Sequence, residues 1–237
     1  MQTTPGAVVT QIHETSGQAN HILPASRLRI SEIFFSLQGE ASRVGLPTVF
    51  IRLTGCPLRC VYCDTEYAFQ GGEWLSVEEI QARTHAYPTH HVTVTGGEPL
   101  AQKTCHELLY ALCNAGYDVS LETSGALDVS AVDPRVSRIV DLKTPASGEV
   151  KRNLWANLEV LTPRDEVKFV LANEADYNWA KDVLKKHRIH RRCPILFSPV
   201  WDQINPTDLA QWILRDGLPV RMQVQLHKIL WQEAKGR

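Results

Sequence analysis

No run in this 237-residue sequence approaches the ~18 to 20 consecutive apolar residues that a bilayer-spanning helix requires. A helical membrane span is therefore excluded. The N-terminus also lacks the charged, apolar and small-residue order of a secretion signal, so the expected location is the cytosol. Charge of one sign is missing as well: 25 Lys plus Arg meet 26 Asp plus Glu. Without a basic excess nothing draws the chain onto phosphate backbones or acidic lipid surfaces, and neither nucleic acid nor membrane is expected as a partner. A small molecule is. Repeats and low-complexity tracts are absent from the core, while 43% hydrophobic residues suffice for one domain of ordinary to large size.

Residues 1–27 are rich in Thr, Gln, Ser, Gly, Asn and His and show no sustained apolar period. They are expected to form a flexible extension, with the domain over 28–237. From Leu28 onward short β-branched runs alternate with helical patterns, the order of parallel βαβ units, so the fold class is α/β. Strands are expected over 48–53, 91–95, 119–122, 138–142, 166–171, 194–197 and 220–225, with an extended segment over 29–36. Ser76 with Glu79 forms a capping box, Asn205 before Pro206 a second helix start, and Gly116 ends a helix over about 100–115. Periodicity fits a partial barrel and an open doubly wound sheet equally. Either puts the ligand at the carboxyl ends of the strands.

Cysteines in a cytosolic chain stay reduced, so a tight group of three points to metal binding or catalysis. Cys56, Cys60 and Cys63 follow the strand over 48–53 directly, and three soft thiolates suit an iron–sulfur cluster. A [4Fe–4S] cube held by three cysteines leaves one iron open, and the amino and carboxylate groups of S-adenosylmethionine can fill it. The bland alternatives are unrelated thiols or a structural zinc site with a remote ligand such as Cys193, although C-x-x-x-C-x-x-C is less usual for zinc than paired C-x-x-C units. Tyr62 can pack along an adenine or shield the cluster. Cys105, Cys113 and Cys193 are expected to be packing thiols. His90 and His91 face opposite sides of a strand and make no shared site.

The cysteine spacing with Tyr62 before the last cysteine, together with Thr95-Gly96-Gly97-Glu98-Pro99 after a strand, resembles the radical S-adenosylmethionine superfamily. Phe35-Ser36-Leu37-Gln38-Gly39-Glu40, Phe50-Ile51-Arg52-Leu53 and Cys63-Asp64-Thr65 narrow the resemblance to the 7-carboxy-7-deazaguanine synthase family, over about 29–231. It implies a partial (βα)6 TIM-like barrel with a radical S-adenosylmethionine core, and a carbon–nitrogen lyase that contracts 6-carboxy-5,6,7,8-tetrahydropterin to 7-carboxy-7-deazaguanine with loss of ammonia, in 7-deazapurine and queuosine biosynthesis. The adenosyl radical takes hydrogen from C6 and the cofactor is regenerated.

Residue by residue, the resemblance assigns the cluster to Cys56, Cys60 and Cys63 and Mg2+ to Thr65. It assigns S-adenosylmethionine to Tyr62, Cys63, Asp64, Gly97, Glu98, Ser124, Lys143, Thr144, Pro145, Ser198, Pro199 and Val200. Leu37, Gln38, Gly39, Glu40, Arg52, Thr95 and His227 fall to the substrate. Gln38-Gly39-Glu40 as a polar turn and Arg52 as a structural salt bridge remain the alternatives for those residues. A homodimer and an electron donor such as flavodoxin or ferredoxin are further implied. The rival functions are a glycyl-radical-enzyme activase, which shares the cysteine and Gly-Gly-Glu-Pro motifs, and a non-catalytic zinc or iron–sulfur module.

Overall fold

The computed structural model describes residues 26–232, Ala234 and Gly236. The expected extension over 1–27 lies outside the described residues as far as residue 25, and β1 (Arg27–Leu37) begins two residues later. β1 runs antiparallel to β2 (Pro47–Leu53) and, on its other side, to β3 (Glu73–Ser76). From β2 outward every pairing is parallel, through β4 (His91–Gly96), β5 (Asp118–Thr123), β6 (Ser137–Asp141), β7 (Glu166–Leu171), β8 (Ile195–Pro199) and β9 (Arg221–Met222). The single sheet has the order β3-β1-β2-β4-β5-β6-β7-β8-β9 and forms a partial TIM-like barrel.

Two-residue alternation divides the strands into an oily face and a polar one. Val49, Ile51 and Leu53 of β2, Val92 and Val94 of β4, and Val167, Phe169 and Leu171 of β7 are fully buried in the main core. Each such side chain contributes ~1.5 to 3 kcal/mol by leaving water. Their neighbours Phe50, Arg52, Thr95, Lys168 and Val170 face the inside. The outer layer comprises α1 (Val77–His85), α2 (Cys105–Asn114), α3 (Glu174–His187) and α4 (Pro206–Asp216), while the short α5 (Leu226–Trp231) brings His227 and Lys228 to the inner cavity. The Ser76 and Glu79 capping box starts α1 as expected, and Asn205 caps α4 ahead of Pro206. Among the described residues no helix is long and apolar enough to cross a membrane.

Three elements depart from expectation, each through tertiary bonding. The helix expected over 100–115 begins only at Cys105, because the Gln102 carboxamide is held by the Arg29 backbone and the Thr54 carbonyl and its residue is extended. The strand expected over 220–225 shrinks to Arg221–Met222, since Gln223 turns its side chain onto Ala41. Between β5 and β6, and between β6 and β7, no α-helix forms. Buried Asn157 instead bonds the Gly125 and Leu127 carbonyls and the Val129 amide, and Asn153 clasps the Lys143 backbone. These amides supply the partners that a helix ladder would otherwise provide.

The connection between β1 and β2 seals the amino ends of the strands. Arg43 places its fork on Asp118 of β5 at 2.6 and 3.0 Å and reaches Ser137 of β6, while the Ser42 amide bonds Glu166 of β7. Ala41 packs between Ile139 and Leu196 inside the barrel. The carboxyl ends are left as the mouth.

Arg138 of β6 ties the two helix-free crossovers together: its fork meets Asp165 at 2.9 and 2.7 Å, and it also bonds the Val129 and Val160 carbonyls. Burial pushes the Asp165 carboxyl up, but Arg138 and the Thr162 donors outweigh it and hold the carboxyl below its usual range. A depressed folded-state value stabilises fully above the unfolded carboxylate value of ~3.9, and that stabilisation is lost as pH falls through the folded value. Arg138→Met should cost about 3 to 5 kcal/mol in urea unfolding at neutral pH, because it strands a buried carboxylate. It should also flatten the acid limb of the stability profile.

Candidate active site

Cys56, Cys60 and Cys63 lie on the loop leaving β2, all free and half-buried, and all line one cavity of about 520 Å³ at the strands' carboxyl ends. The loop is fastened on several sides. The Gly55 amide bonds the Ala68 carbonyl at 2.8 Å, the Glu98 amide bonds the Gly55 carbonyl at 2.8 Å, and the Val61 amide bonds the Ser147 carbonyl at 3.0 Å. Gly97 packs against it so closely that an added Cβ would stand 2.3 Å from the Gly55 carbonyl oxygen and 2.7 Å from Cys56 Cβ. Neither neighbour can move away, since both belong to the cysteine loop itself.

Burial pushes all three thiols up, Cys60 to about 11; Cys56 and Cys60 are raised further by other cysteines of the group and Cys63 by Asp64, while Lys143 acts in the opposite sense on all three. Such thiols are poor thiolates by themselves. A metal that displaces their protons satisfies them, and a soft sulfur set fits iron–sulfur chemistry. Among the described residues no three His, Cys, Asp or Glu side chains stand close enough to hold one ion. A cubane does not ask for that, because each cysteine binds a different iron.

The cavity floor is polar. Gln38, 2% exposed, donates to Thr93 Oγ1 at 3.0 Å and to Glu122 at 3.5 Å, and accepts from the Glu40 amide at 3.1 Å. Glu40 accepts from Lys168 Nζ at 2.6 Å and Gln225 Nε2 at 2.8 Å. Burial pushes its carboxyl up, and the Lys168 ammonium more than reverses that, keeping it ionised. Glu122 goes the other way: burial pushes it up, Glu40 adds to this, and Lys168, Arg52 and the Thr95 hydroxyl only partly compensate. Arg52 donates from Nε to Glu32 at 2.7 Å while lining the cavity, so its salt bridge occupies one edge of the guanidinium. Gly39 packs against His227, where an added Cβ would stand 2.5 Å from Nδ1 and 3.2 Å from the backbone nitrogen and would displace the imidazole. The stacked rings of Phe34 and Phe50, 4.9 Å apart, supply a flat apolar wall.

Comparison with known proteins agrees with this constellation. Residues 50–197 match the radical SAM superfamily. The chain is 49% identical over 213 residues to the 7-carboxy-7-deazaguanine synthase of Chlorobaculum tepidum, covering 88% of this chain and 97% of that one. The chain belongs to the 7-carboxy-7-deazaguanine synthase family. The enzyme of that name from Koribacter versatilis is 41% identical, with 88% of this chain and all 100% of the relative covered. Among solved structures, QueE from Escherichia coli superposes with a TM-score of 0.69 at 26% identity, covering 85% of this chain and 95% of that one. Membership implies a [4Fe–4S] cluster and S-adenosylmethionine.

Of the residues expected from the sequence, Leu37, Gln38, Gly39, Glu40, Arg52, Thr95 and His227 all line the cavity, as do Tyr62, Asp64, Thr65, Gly97, Ser124, Lys143 and Val200. Glu98, Thr144, Pro145, Ser198 and Pro199 are not among the residues that line it. Glu98 is wholly buried and its carboxylate is taken up by the Leu100 amide, the Thr123 hydroxyl and both donors of Ser124. Thr144 is likewise buried, bonded to Asp176 and the Val170 carbonyl. Sequence reasoning did not single out Lys168 as a cavity residue. A usable signal existed for Lys168, a charged residue alternating with apolar ones on a buried parallel strand.

Gly97→Ala should leave a folded protein that cannot hold its cluster, because the new methyl would displace the Cys56 loop. Iron and sulfide content after anaerobic reconstitution checks this, and full cluster content in the variant would show that the close approach is dispensable. Cys60→Ala should lose the cluster's function, whereas Cys105→Ala, altering a thiol buried in the main core, should not.

Proposed function

We propose that this chain converts 6-carboxy-5,6,7,8-tetrahydropterin to 7-carboxy-7-deazaguanine with loss of ammonia, as a step toward 7-deazapurines. One observation carries the reading beyond family membership: the thiols expected to hold the cluster and a polar floor bearing Arg52, Gln38 and Glu40 share a single cavity. When bound, the cluster and S-adenosylmethionine would supply a 5′-deoxyadenosyl radical, which takes a hydrogen atom from the substrate and, as 5′-deoxyadenosine, gives one back after rearrangement.

The chain's own residues bind, orient and exclude water. Leu37, Gln38 and Gly39 bring a backbone edge to the pterin side of the cavity, held in place by the bonds of Gln38 to Leu46 and Gly45, the stacked phenylalanines suit the pterin's flat face, and the second edge of Arg52 suits its carboxylate. Thr95 and His227 complete the substrate side. Tyr62, Cys63, Asp64, Gly97, Ser124, Lys143 and Val200 form the cofactor side, with Glu98 holding Ser124 in position. Support for Mg2+ at Thr65 comes from hard oxygen donors side by side, the Thr65 hydroxyl lying 2.6 Å from Asp64 Oδ1.

The sealed floor favours this reading over a glycyl-radical-enzyme activase, whose substrate is a protein segment. A structural zinc module has no use for a charged cavity beside its thiols. The homodimer, a flavodoxin or ferredoxin donor and a cytosolic location belong to the same proposal. The decisive assay is anaerobic and combines reconstituted protein, the carboxypterin, S-adenosylmethionine and a reductant. Reductive cleavage of S-adenosylmethionine without conversion of the pterin would overturn the substrate assignment.

Arg52→Lys should keep a charge for Glu32 but lose the planar second edge. An interaction with a charged group is worth about 1.5 to 3 kcal/mol, so carboxypterin use should fall roughly ten- to a hundredfold while cluster content is kept. Unchanged carboxypterin kinetics would remove Arg52 from the substrate side. Loss of the cluster or of solubility would make it structural.

A further inference from the structure

Lys168 is placed where the two halves of the cavity meet. It projects inward from β7 and its Nζ stands 2.6 Å from Glu40 Oε2 and 3.9 Å from Asp141 Oδ2. Glu40 belongs to the β1–β2 connection that forms the floor, and Asp141 closes β6. Asp141 in turn accepts from Lys143 Nζ at 2.9 Å. The side chains of Lys168, Glu40 and Asp141 are only 10%, 11% and 15% exposed, so water does little to screen them. One ammonium thus joins a residue of the substrate floor to a residue of the cofactor wall.

We propose that Lys168 is a positioning residue, which sets the spacing between the carboxypterin and S-adenosylmethionine seats by holding Glu40 on one side and the Asp141 and Lys143 pair on the other. This rests on the functional reading above. Without the ammonium, Glu40, Asp141 and Glu122 share one cavity, and Gln225 is left as the side-chain donor to the Glu40 carboxylate among the described residues. Repulsion then moves the floor relative to the cofactor wall. Asp141 Oδ1 is buried without a hydrogen-bond partner, so once Lys168 is gone the Asp141 carboxylate is left to Lys143 on its other oxygen. A hydrogen abstraction tolerates little misplacement, since an error of ~1 Å can cost about a hundredfold.

The test uses the reconstituted holoenzyme with Lys168→Met, which keeps much of the length and removes the charge, and Lys168→Arg, which keeps the charge. Anaerobic calorimetry gives carboxypterin affinity, and product formed per 5′-deoxyadenosine released gives the coupling of cleavage to rearrangement. Lys168→Met should weaken carboxypterin affinity and lower that ratio, each by roughly tenfold or more, with cluster content unchanged and Lys168→Arg recovering part of both. If Lys168→Met does not fold, Glu40→Gln addresses the other end of the contact and should lower the same ratio.

Affinity and ratio both unchanged in Lys168→Met would overturn the inference. So would a decline in rate that only follows cluster content and melting temperature, leaving the ratio intact. Wild-type protein that neither binds nor converts the carboxypterin would instead overturn the functional reading, and this inference with it.

Discussion

The paired hydrogen bonds between Gln223 and Ala41 hold closed a barrel that its own strands leave open. β9 is two residues long and β1 pairs only with β2 and β3, so no backbone ladder crosses the gap between them. One carboxamide does what a strand pair would do: Gln223 accepts from the Ala41 amide at 2.9 Å and donates to its carbonyl at 3.4 Å. The Leu226 amide adds a bond to the Gly39 carbonyl at 3.1 Å. Ala41 adopts φ 62 to meet these partners. The left-handed conformation costs about 1 to 2 kcal/mol for a residue with a Cβ, comparable with the cost of leaving one buried backbone group unpaired. Gln38, Gly39 and Glu40 take their positions on the floor from this closure.

The mouth of the barrel is held by a different device. Gly97 has an ordinary backbone conformation, and what it requires is distance: its backbone lies against Gly55 and Cys56 with no room for a methyl. The cysteine loop after β2 and the loop after β4 are consequently one packed unit. Glu98 extends the unit to β5 by gathering Thr123 and Ser124. Carboxyl ends of three strands are thereby fixed relative to one another, which gives the expected cluster and cofactor seats a rigid frame.

Features set by local chemistry were legible in the sequence. The cysteine spacing, the Gly-Gly turn, the Ser76 cap and the parallel strand order each follow from a few neighbouring residues. What escaped depends on contacts between distant ones. β3 is a strand because Trp74 and Leu75 pair with β1, and the helix-free crossovers depend on where Asn153 and Asn157 are buried. Arg52 makes a salt bridge to Glu32 through Nε and also lines the cavity, two features that the sequence pattern could not show together. The protein donors gathered on Glu98 are likewise visible only in three dimensions.

Charge inside the barrel is balanced as well as paired. The cavity wall carries Arg52, Lys143, Lys168 and Lys228 against Glu40, Asp64, Glu122 and Asp141. An excess of either sign would draw in ions indiscriminately and would raise the cost of taking every wall charge out of water. A balanced wall has little net field, so it discriminates by position: a guanidinium edge at one point, a carboxylate at another, backbone groups between them. Ligands that carry charges of both signs suit such a surface. The near-neutral chain as a whole follows the same rule, and recognition then depends on whether Glu40, Arg52 and Lys143 stay where the closed floor and the rigid mouth put them.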